Sequence, residues 1–233
     1  MIKVGDDNIR TIYLGGDKIK KIYLGSDLIY KGIPERYRIV DGIKNAANTK
    51  VPTGIILDST NWEIESVFTV NSDAGNRSFY YLQSRASSGT RIHGISGSST
   101  GNTINIDCGS SKSNGSLTSE IKRVANNKYY YKGGIDDTTV SLYVKNLTTS
   151  AYDNKTGELT TYTNPTTAVS LFGDYNMLVS GYICHYVKIR KNNETVIEYI
   201  PVIDTQNNNK AGFYNTVNDT FVIESRGELI SVQ

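Results

Sequence analysis

The chain has 233 residues and a formal net charge of +2, which is not the concentrated basic excess of a nucleic-acid-binding domain. No segment approaches the roughly 20 apolar residues of a membrane-spanning helix, and the first residues are too charged for a secretory signal peptide. Tyr, Thr, Ile, Val, Ser, Asn and Gly are abundant, which favours strands and turns. We therefore expect an all-β protein made in a cytoplasm, with no nucleic-acid or membrane partner.

The chain opens with three copies of the ten-residue pattern I-x-x-G-x-D-x-I-x-x, which begin at Ile2, Ile12 and Ile22 and end at Gly32. In the second and third copies an apolar pair flanks a tyrosine, and Gly-x-Asp then supplies turn chemistry. This pattern predicts three short hairpin steps in a small β-meander over residues 1–32. Repeats of this size bury little apolar surface alone, so the meander needs a partner.

The repeat also carries the excess charge of the chain. It holds six of the 25 basic residues and four of the 23 acidic ones, which leaves 19 of each in the remainder. We predict that residues 1–32 attach the protein to a larger assembly or to sister chains as a dimer or trimer. The candidate attachment residues are Ile12, Tyr13, Leu14, Ile19, Lys20, Lys21, Ile22, Tyr23, Leu24, Ile29 and Tyr30.

Residues 33–36 are predicted to be a short linker, and residues 37–233 a β-sandwich domain. Strand-like segments bounded by turn residues recur at 62–70, 77–83, 90–95, 102–108, 128–132, 138–144, 168–172, 181–190, 195–202, 212–214 and 219–223. About ten short strands at such spacing predict a β-sandwich or jelly roll. The one helix candidate is the short segment 119–127.

The cysteines and histidines limit the chemistry of the chain. Cys108 and Cys184 are too few and too distant for a disulfide framework, and their strand-like surroundings favour buried free thiols, with a bridge left open. His93 and His185 also lie in strand-like segments, and packing roles are expected for both. No cluster has metal-ligand spacing, so we expect no cofactor and no transition metal. For calcium, D73-A-G-N and D136-D do not resemble a dedicated loop.

Two patterns could suggest catalysis. G97-S-S-T-G matches the G-x-S-x-G nucleophile elbow, but it lies in a Gly/Ser-rich loop between strands, without the helix that the elbow needs. Glu63 and Glu65 share one face of a strand, which would suit the acid and nucleophile of a glycosidase, but a solvated outer face produces the same alternation. Neither pattern indicates an enzyme.

Consecutive aromatic residues are the better indication of a ligand. Two aromatic triplets, 79–81 and 129–131, must each place a ring on both faces of a strand, and an outer ring could stack on a sugar. Cross-strand stabilisation is the ordinary alternative for such rings. The candidate glycan-binding residues are Trp62, Tyr80, Tyr81, Tyr129, Tyr130 and Tyr131.

The C-terminal third contains S170-L-F-G-D, then G181-Y-I-C-H-Y-V-K-I-R, then E198-Y-I-P-V, then K210-A-G-F-Y-N-T-V-N-D-T-F. This order resembles the concanavalin A-like (laminin-G-like) jelly-roll domains of phage structural proteins, especially those of phages of gut Bacteroidetes. V51-P-T-G-I-I-L-D resembles the opening of the same domains, so the likeness covers residues 37–225. Val202 and Asn215 depart from the family pattern, where Cys and Asp are common. The resemblance implies the fold and carries over no catalytic residues.

The segment K20-K-I-Y-L-G-S-D-L-I-Y-K-G resembles short N-terminal elements that precede such domains in virion proteins, and the crass-like phages are the specific comparison. The resemblance implies a non-enzymatic virion protein, a head fibre or capsid decoration in preference to a tail component. Its partners would be capsid or other virion proteins and copies of itself. The alternatives are a carbohydrate-binding adhesin for capsule or mucin glycans, and a hydrolase of surface polysaccharide.

Overall fold

A computed structural model describes residues 3–4, 7–8, 12–14, 17–19, 21–24, 27–46, 49–70, 79–85, 91–97, 103–108, 116–160, 162, 164–172, 182–225 and 227–232. Side chains are described from Gly32 onward, except in 91–97 and in 79–85 apart from Leu82 and Ser84. These residues form strands, turns and irregular segments. Within these ranges, no helix is long and apolar enough to cross a lipid bilayer.

The strands are numbered in chain order. The repeat contains β1 (Lys3–Val4), β2 (Asp7–Asn8), β3 (Ile12–Leu14), β4 (Asp17–Ile19), β5 (Lys21–Leu24) and β6 (Asp27–Lys31). The first part of the remainder contains β7 (Tyr37–Ile39), β8 (Gly42–Asn45), β9 (Val51–Pro52), β10 (Asn61–Val70), β11 (Phe79–Arg85), β12 (Arg91–Gly97), β13 (Thr103–Asp107) and β14 (Leu117–Lys122). The rest contains β15 (Lys128–Asp136), β16 (Thr139–Asn146), β17 (Tyr152–Glu158), β18 (Ser170–Leu171), β19 (Tyr182–Lys191), β20 (Glu194–Asp204), β21 (Lys210–Asn215), β22 (Thr220–Val222) and β23 (Leu229–Val232).

Each copy of the repeat folds into its own antiparallel hairpin. Strands β1 and β2, β3 and β4, and β5 and β6 form three separate two-stranded sheets. The predicted hairpins are therefore confirmed, but the single meander is wrong. The physical reason is that the Gly-x-Asp turn lies inside each ten-residue copy, so the two strands that it joins pair with each other. Lys21, the last residue of the second copy, extends the third hairpin by pairing with Lys31.

The remainder of the chain forms two antiparallel sheets. The large sheet has eleven strands in the order β17-β16-β15-β10-β19-β20-β21-β22, with β7 paired to β20, and β8 paired to β19 and β23. The second sheet has six strands in the order β14-β13-β12-β11-β18-β9. Strand β10 lies at the centre of the large sheet because it pairs along its whole length with β15 and β19.

The core consists of the apolar sides of both sheets. Trp62, Ile64 and Phe68 of β10 pack in one cluster with Leu82 and Ile106 of the second sheet. The predicted alternation of β10 is confirmed, since buried and half-buried residues alternate along all of its ten positions. This alternation leaves the glutamates of β10 on the outer face of the sandwich.

Several sequence predictions can be compared with the strands. The eleven predicted strand segments each overlap a strand, whereas the helix predicted over 119–127 is wrong. That segment forms the end of β14 and then a turn, because Ser119 is buried between exposed neighbours and Asn126 has a φ of 64°. Short or polar strands were missed, namely β7, β8, β9, β17 and β23. Cys108 and Cys184 are buried free thiols, as predicted.

The segment predicted as a linker is packed on the sandwich. Ile33 is 6% exposed and lies in a small apolar cluster with Ile200, Val202 and Tyr214. Arg36 donates from Nε to Asp204 Oδ1 at 3.2 Å and from Nη2 to Oδ2. The boundary between repeat and sandwich stays a prediction, but residues 33–36 contact the sandwich.

The strand register gives the large sheet two ends, which we name the junction end and the far end. At the far end, Asn61 lies opposite Asp136, and β19 turns into β20 between Lys191 and Glu194. Strand β20 then runs to the junction end, where Asp204 pairs with Tyr37. A ten-residue strand at about 3.4 Å per residue separates the ends by roughly 30 Å. The segment that follows the repeat therefore contacts the sandwich at the end opposite the β19–β20 turn.

Candidate functional site

A charged network lies on the outer face of the large sheet, where β10 meets its neighbours. Glu63 is opposite Arg190 of β19, and Glu65 is opposite Lys132 of β15. Glu63 Oε2 lies 2.8 Å from Lys132 Nζ, and Glu63 Oε1 accepts a hydrogen bond from Arg190 Nη1 at 3.0 Å. Arg190 Nη1 is also 3.7 Å from Glu65 Oε1. Partly exposed pairs of this kind add little to stability, but they hold the side chains in place.

Three tyrosines cross the sheet beside this network, and we call them the tyrosine ladder. Tyr130 of β15 and Tyr143 of β16 meet edge to face with ring centroids 5.9 Å apart, and Tyr143 stacks on Tyr152 of β17 at 6.2 Å. Tyr152 is 68% exposed, so the outer end of the ladder faces solvent. Burial, and then the charges of Glu65 and Glu63, raise the pKa of Tyr130. Its hydroxyl therefore stays protonated at neutral pH.

A second hydrogen-bonded group continues the outer face toward β21. Tyr186 of β19 donates to Glu198 Oε1 at 2.9 Å, and Thr216 donates to Glu198 Oε2 at 2.6 Å. Burial raises the pKa of Tyr186, and the nearby Glu198 raises it further. The centre of this face thus presents neutral hydroxyls, carboxylates and cations whose positions are set by contacts with one another.

A cleft of about 140 Å³ opens at the far end of the same face. Its lining consists of Asn61, Trp62, Glu63, Gly134, Ile135, Asp136, Ser141, Arg190 and Asn193. Gly134 is part of this lining, and a Cβ at its position would collide with the carbonyl oxygen of Trp62 in β10. The cleft lies next to the charged network, since Glu63 and Arg190 belong to both.

The structure corrects half of the predicted glycan-binding set. Trp62 is 2% exposed, and its indole N–H donates to the Tyr162 hydroxyl at 3.1 Å. Tyr129 is buried; its hydroxyl donates to the Lys122 carbonyl and accepts a hydrogen bond from the Val124 N–H. Tyr131 is also in the core, where burial raises its pKa. These rings cannot stack on a ligand because the core covers them.

Tyr130 is the predicted residue that lies on the outer face, whereas the side chains of Tyr80 and Tyr81 lie outside the described residues. The sequence correctly indicates that the triplet 129–131 places rings on both faces. It did not identify Tyr143, Tyr152 or Tyr186. The alternation of the strands could have placed Tyr143 and Tyr186 on the outer face. Their contacts with other residues depend on the cross-strand register, which the sequence alone does not give.

Ten of the eleven predicted attachment residues lie in β3, β4, β5 and β6, and their side chains lie outside the described residues. The eleventh, Lys20, lies outside the described residues entirely. Their role stays a prediction. Of G97-S-S-T-G, only Gly97 lies in the described part of the chain, at the end of β12.

His185 has the packing role expected of it. Its Nε2 is 2.8 Å from Thr69 Oγ1, and its Nδ1 is 2.7 Å from the Asp41 carbonyl oxygen. The side chain of His93 and residue Asp73 lie outside the described residues. Across the described ranges, no group of three or more His, Cys, Asp and Glu residues could hold a metal ion.

The chain matches no protein-family model and no curated protein. It is similar to the LG1-3 region of the laminin α2 chain, with a TM-score of 0.50 and 8% identity over 94% of this chain and 38% of that one. It is also similar to full-length tailspike protein 2 of an Escherichia coli O157:H7 bacteriophage, with a TM-score of 0.48 and 13% identity over 69% of this chain and 24% of that one. Caenorhabditis elegans galectin LEC-6 gives a TM-score of 0.40 and 13% identity over 69% of this chain and 100% of that one.

The laminin comparison covers nearly the whole chain, and at this low identity it shows a shared fold. The domain is therefore a concanavalin A-like (laminin-G-like) β-sandwich, as the sequence predicted. This chain spans well under half of the laminin and tailspike chains. Function has to be argued from the residues of this chain.

Proposed function

We propose that this protein is a non-enzymatic structural component of a phage virion, a head fibre or capsid-decoration protein, anchored by its N-terminal repeat and displaying the sandwich. The observation that carries the proposal is the division of the repeat into three separate two-stranded hairpins. The likeness of both the repeat and the C-terminal third to phage structural proteins supports the same assignment.

Such hairpins need a partner surface. Their strands are two to five residues long, and an isolated two-stranded hairpin is marginally stable in water. The core cluster of the sandwich runs from Val40 to Leu229 and draws on both of its sheets. The sandwich thus has a core of its own, and binding to a capsid protein or to sister chains would stabilise the hairpins.

Particle incorporation tests this proposal. A truncated chain of residues 33–233 keeps Ile33 and Arg36, so we expect it to fold but to be missing from purified virions. Full-length Tyr152→Ala, which alters the outer face alone, is the matched control and should incorporate normally. Light scattering on both chain lengths then shows whether the repeat drives oligomerisation. Normal incorporation of the truncated chain would refute anchoring by the repeat.

A second function, glycan binding by the displayed sandwich, is favoured by the tyrosine ladder. An exposed ring such as Tyr152 can stack on the apolar face of a sugar, while the adjacent charged network offers donors and acceptors to hydroxyl groups. The protein would then act as an adhesin for host capsule or mucin glycans. It would bind without being an enzyme.

A glycan array with matched ladder variants tests the second function. Tyr152→Phe keeps the ring and should keep binding, whereas Tyr152→Ala should lose most of it with an unchanged unfolding temperature. An array without any hit for the full chain would remove this function and leave the virion role standing.

The hydrolase alternative has less support. Glu63 is bound by both Lys132 and Arg190, which is the arrangement of a structural ion pair. Polysaccharide turnover by the full chain, abolished in Glu63→Gln or Glu65→Gln, would establish the hydrolase in its place.

A further inference from the structure

The cleft at the far end differs from the rest of the outer face because its polar groups come from several separate segments. Asn61 begins β10, Asp136 ends β15, Ser141 lies in β16, and Asn193 lies in the turn between β19 and β20. Two apolar residues of the lining, Trp62 and Ile135, belong to the core beneath. A ligand there would meet amides, a hydroxyl and carboxylates around its edge.

The size of the cleft restricts the ligand. Its volume of about 140 Å³ is well below the roughly 300–1,000 Å³ of pockets that take drug-sized molecules. A volume of this size suits one small ring of a ligand.

The charges of the cleft restrict the ligand further. Its lining contains the carboxylates of Glu63 and Asp136 and one cation, Arg190, which is already bound to Glu63. An acidic group in the ligand would be a third carboxylate in this site, and such a juxtaposition of like charges is unfavourable. Hydroxyl groups suit the site because each can donate to a carboxylate and accept from an amide.

We infer that this cleft binds one neutral, hydroxyl-rich sugar ring, the terminal residue of a glycan whose chain continues along the tyrosine ladder. The inference rests on the proposed glycan-binding function and gives it a position and a ligand class. Because the cleft is at the far end, the sugar enters at the end of the sandwich opposite Asp204 and Tyr37.

The β19–β20 turn provides a matched pair of variants. Asn192 and Asn193 both have positive φ, 51° and 65°, so glycine is accepted at either position without backbone strain. Asn193 lines the cleft, whereas the Asn192 side chain lies near Ser59 Oγ, at 3.4 Å. Asn193→Gly therefore removes a cleft amide, and Asn192→Gly removes a neighbouring amide outside the cleft. Ser141→Val is a further variant that narrows the cleft.

The experiment is a nuclear magnetic resonance titration of the isotope-labelled full-length chain. The probes are methyl glycosides of neutral hexoses and N-acetylhexosamines, with methyl glucuronide as the acidic probe. We expect at least one neutral glycoside to shift the amide signals of Asn61, Gly134 and Ser141. Asn193→Gly and Ser141→Val should weaken that binding at least fivefold, and Asn192→Gly should change it less than twofold.

Three results would overturn the inference: no shift with any neutral glycoside, equal or tighter binding of methyl glucuronide, or equal loss in Asn193→Gly and Asn192→Gly. An oligosaccharide that binds on the array distinguishes failure of the cleft assignment from failure of the proposed glycan-binding function. If it loses affinity in Tyr152→Ala but not in Asn193→Gly, the glycan-binding function stands and the cleft assignment is wrong. If no glycan binds at all, both are wrong.

Discussion

Arg36 donates hydrogen bonds from Nε and Nη2 to the two carboxylate oxygens of Asp204, and this pair joins the segment after the repeat to the end of β20. Asp204 is buried, whereas the Arg36 side chain is 44% exposed. Two parallel hydrogen bonds fix the geometry of an arginine–carboxylate pair more strictly than one. This pair therefore fixes the segment after the repeat to the end of β20.

The first prediction concerns the pH dependence of this pair. The hydrogen bond from Arg36 lowers the pKa of Asp204 below its ordinary value. A depressed folded-state pKa adds stability that is fully present above the unfolded pKa, about 3.9, and is lost as the pH falls through the folded one. Asp204→Asn should therefore be less stable than the natural chain at neutral pH, and the difference should shrink below about pH 4. Urea unfolding at several pH values measures it.

Arg36→Gln is the matched variant for this prediction, since it removes the cation and leaves the carboxylate. Its free energy of unfolding should show the same reduced pH dependence as that of Asp204→Asn. A stability difference that stays constant to the lowest pH at which the chain folds would contradict the assignment.

The second prediction concerns Ile33. Truncation of a buried isoleucine to alanine costs about 2 kcal/mol or more, and this side chain packs with Ile200, Val202 and Tyr214. Ile33→Ala should therefore lower the free energy of unfolding by about 2 kcal/mol. Glu35→Ala, at an exposed neighbouring position, should change it by less than about 0.5 kcal/mol. Equal effects of the two variants would mean that residues 33–36 are not docked in solution.

The third prediction concerns the two thiols. Burial raises the pKa of Cys108, and a thiol held in its protonated form in the core is a poor nucleophile. Cys184 is also buried. We expect a thiol-specific reagent to label neither residue in the native chain and to label both in denaturant. Rapid labelling of the native protein, or no labelling after denaturation without reductant, would be inconsistent with buried free thiols.

The fourth prediction compares two glycines. A Cβ at Gly134 would collide with the backbone of β10, while a Cβ at Gly157 would lie 3.0 Å from Leu117 Cδ2, the end of a flexible side chain. Gly134→Ala should cost about 1–3 kcal/mol or prevent folding, because the backbone of a central strand must move. Gly157→Ala should lower the free energy of unfolding by less, since the Leu117 side chain can rotate away. Thermal unfolding of both variants measures the two losses of stability. A larger loss in Gly157→Ala than in Gly134→Ala would contradict this prediction.

The sequence predicts the strands that carry a clear alternation, and β10 is the strongest example. It does not predict β17, because this strand has few apolar residues and pairs only at one edge of the large sheet. The aromatic triplet 129–131 shows the corresponding limit for the site. Its alternation requires rings on both faces, but the pairing of Tyr129 with Phe68 decides which rings are covered. The cleft brings together residues that are distant in the sequence, such as Asn61 and Asn193, and a sequence pattern does not predict that they meet.

In the described hairpins of the repeat, strand pairs with strand inside one ten-residue copy, except that Lys21, the last residue of the second copy, pairs with Lys31 of the third. Loss or gain of one whole copy therefore leaves nearly all pairs of the other hairpins unaltered, whereas loss of a few residues breaks a hairpin. Copy number can then change the length of this part of the protein in discrete steps without any substitution in the sandwich. A family of such chains would be expected to differ by multiples of ten residues before the segment that holds Ile33.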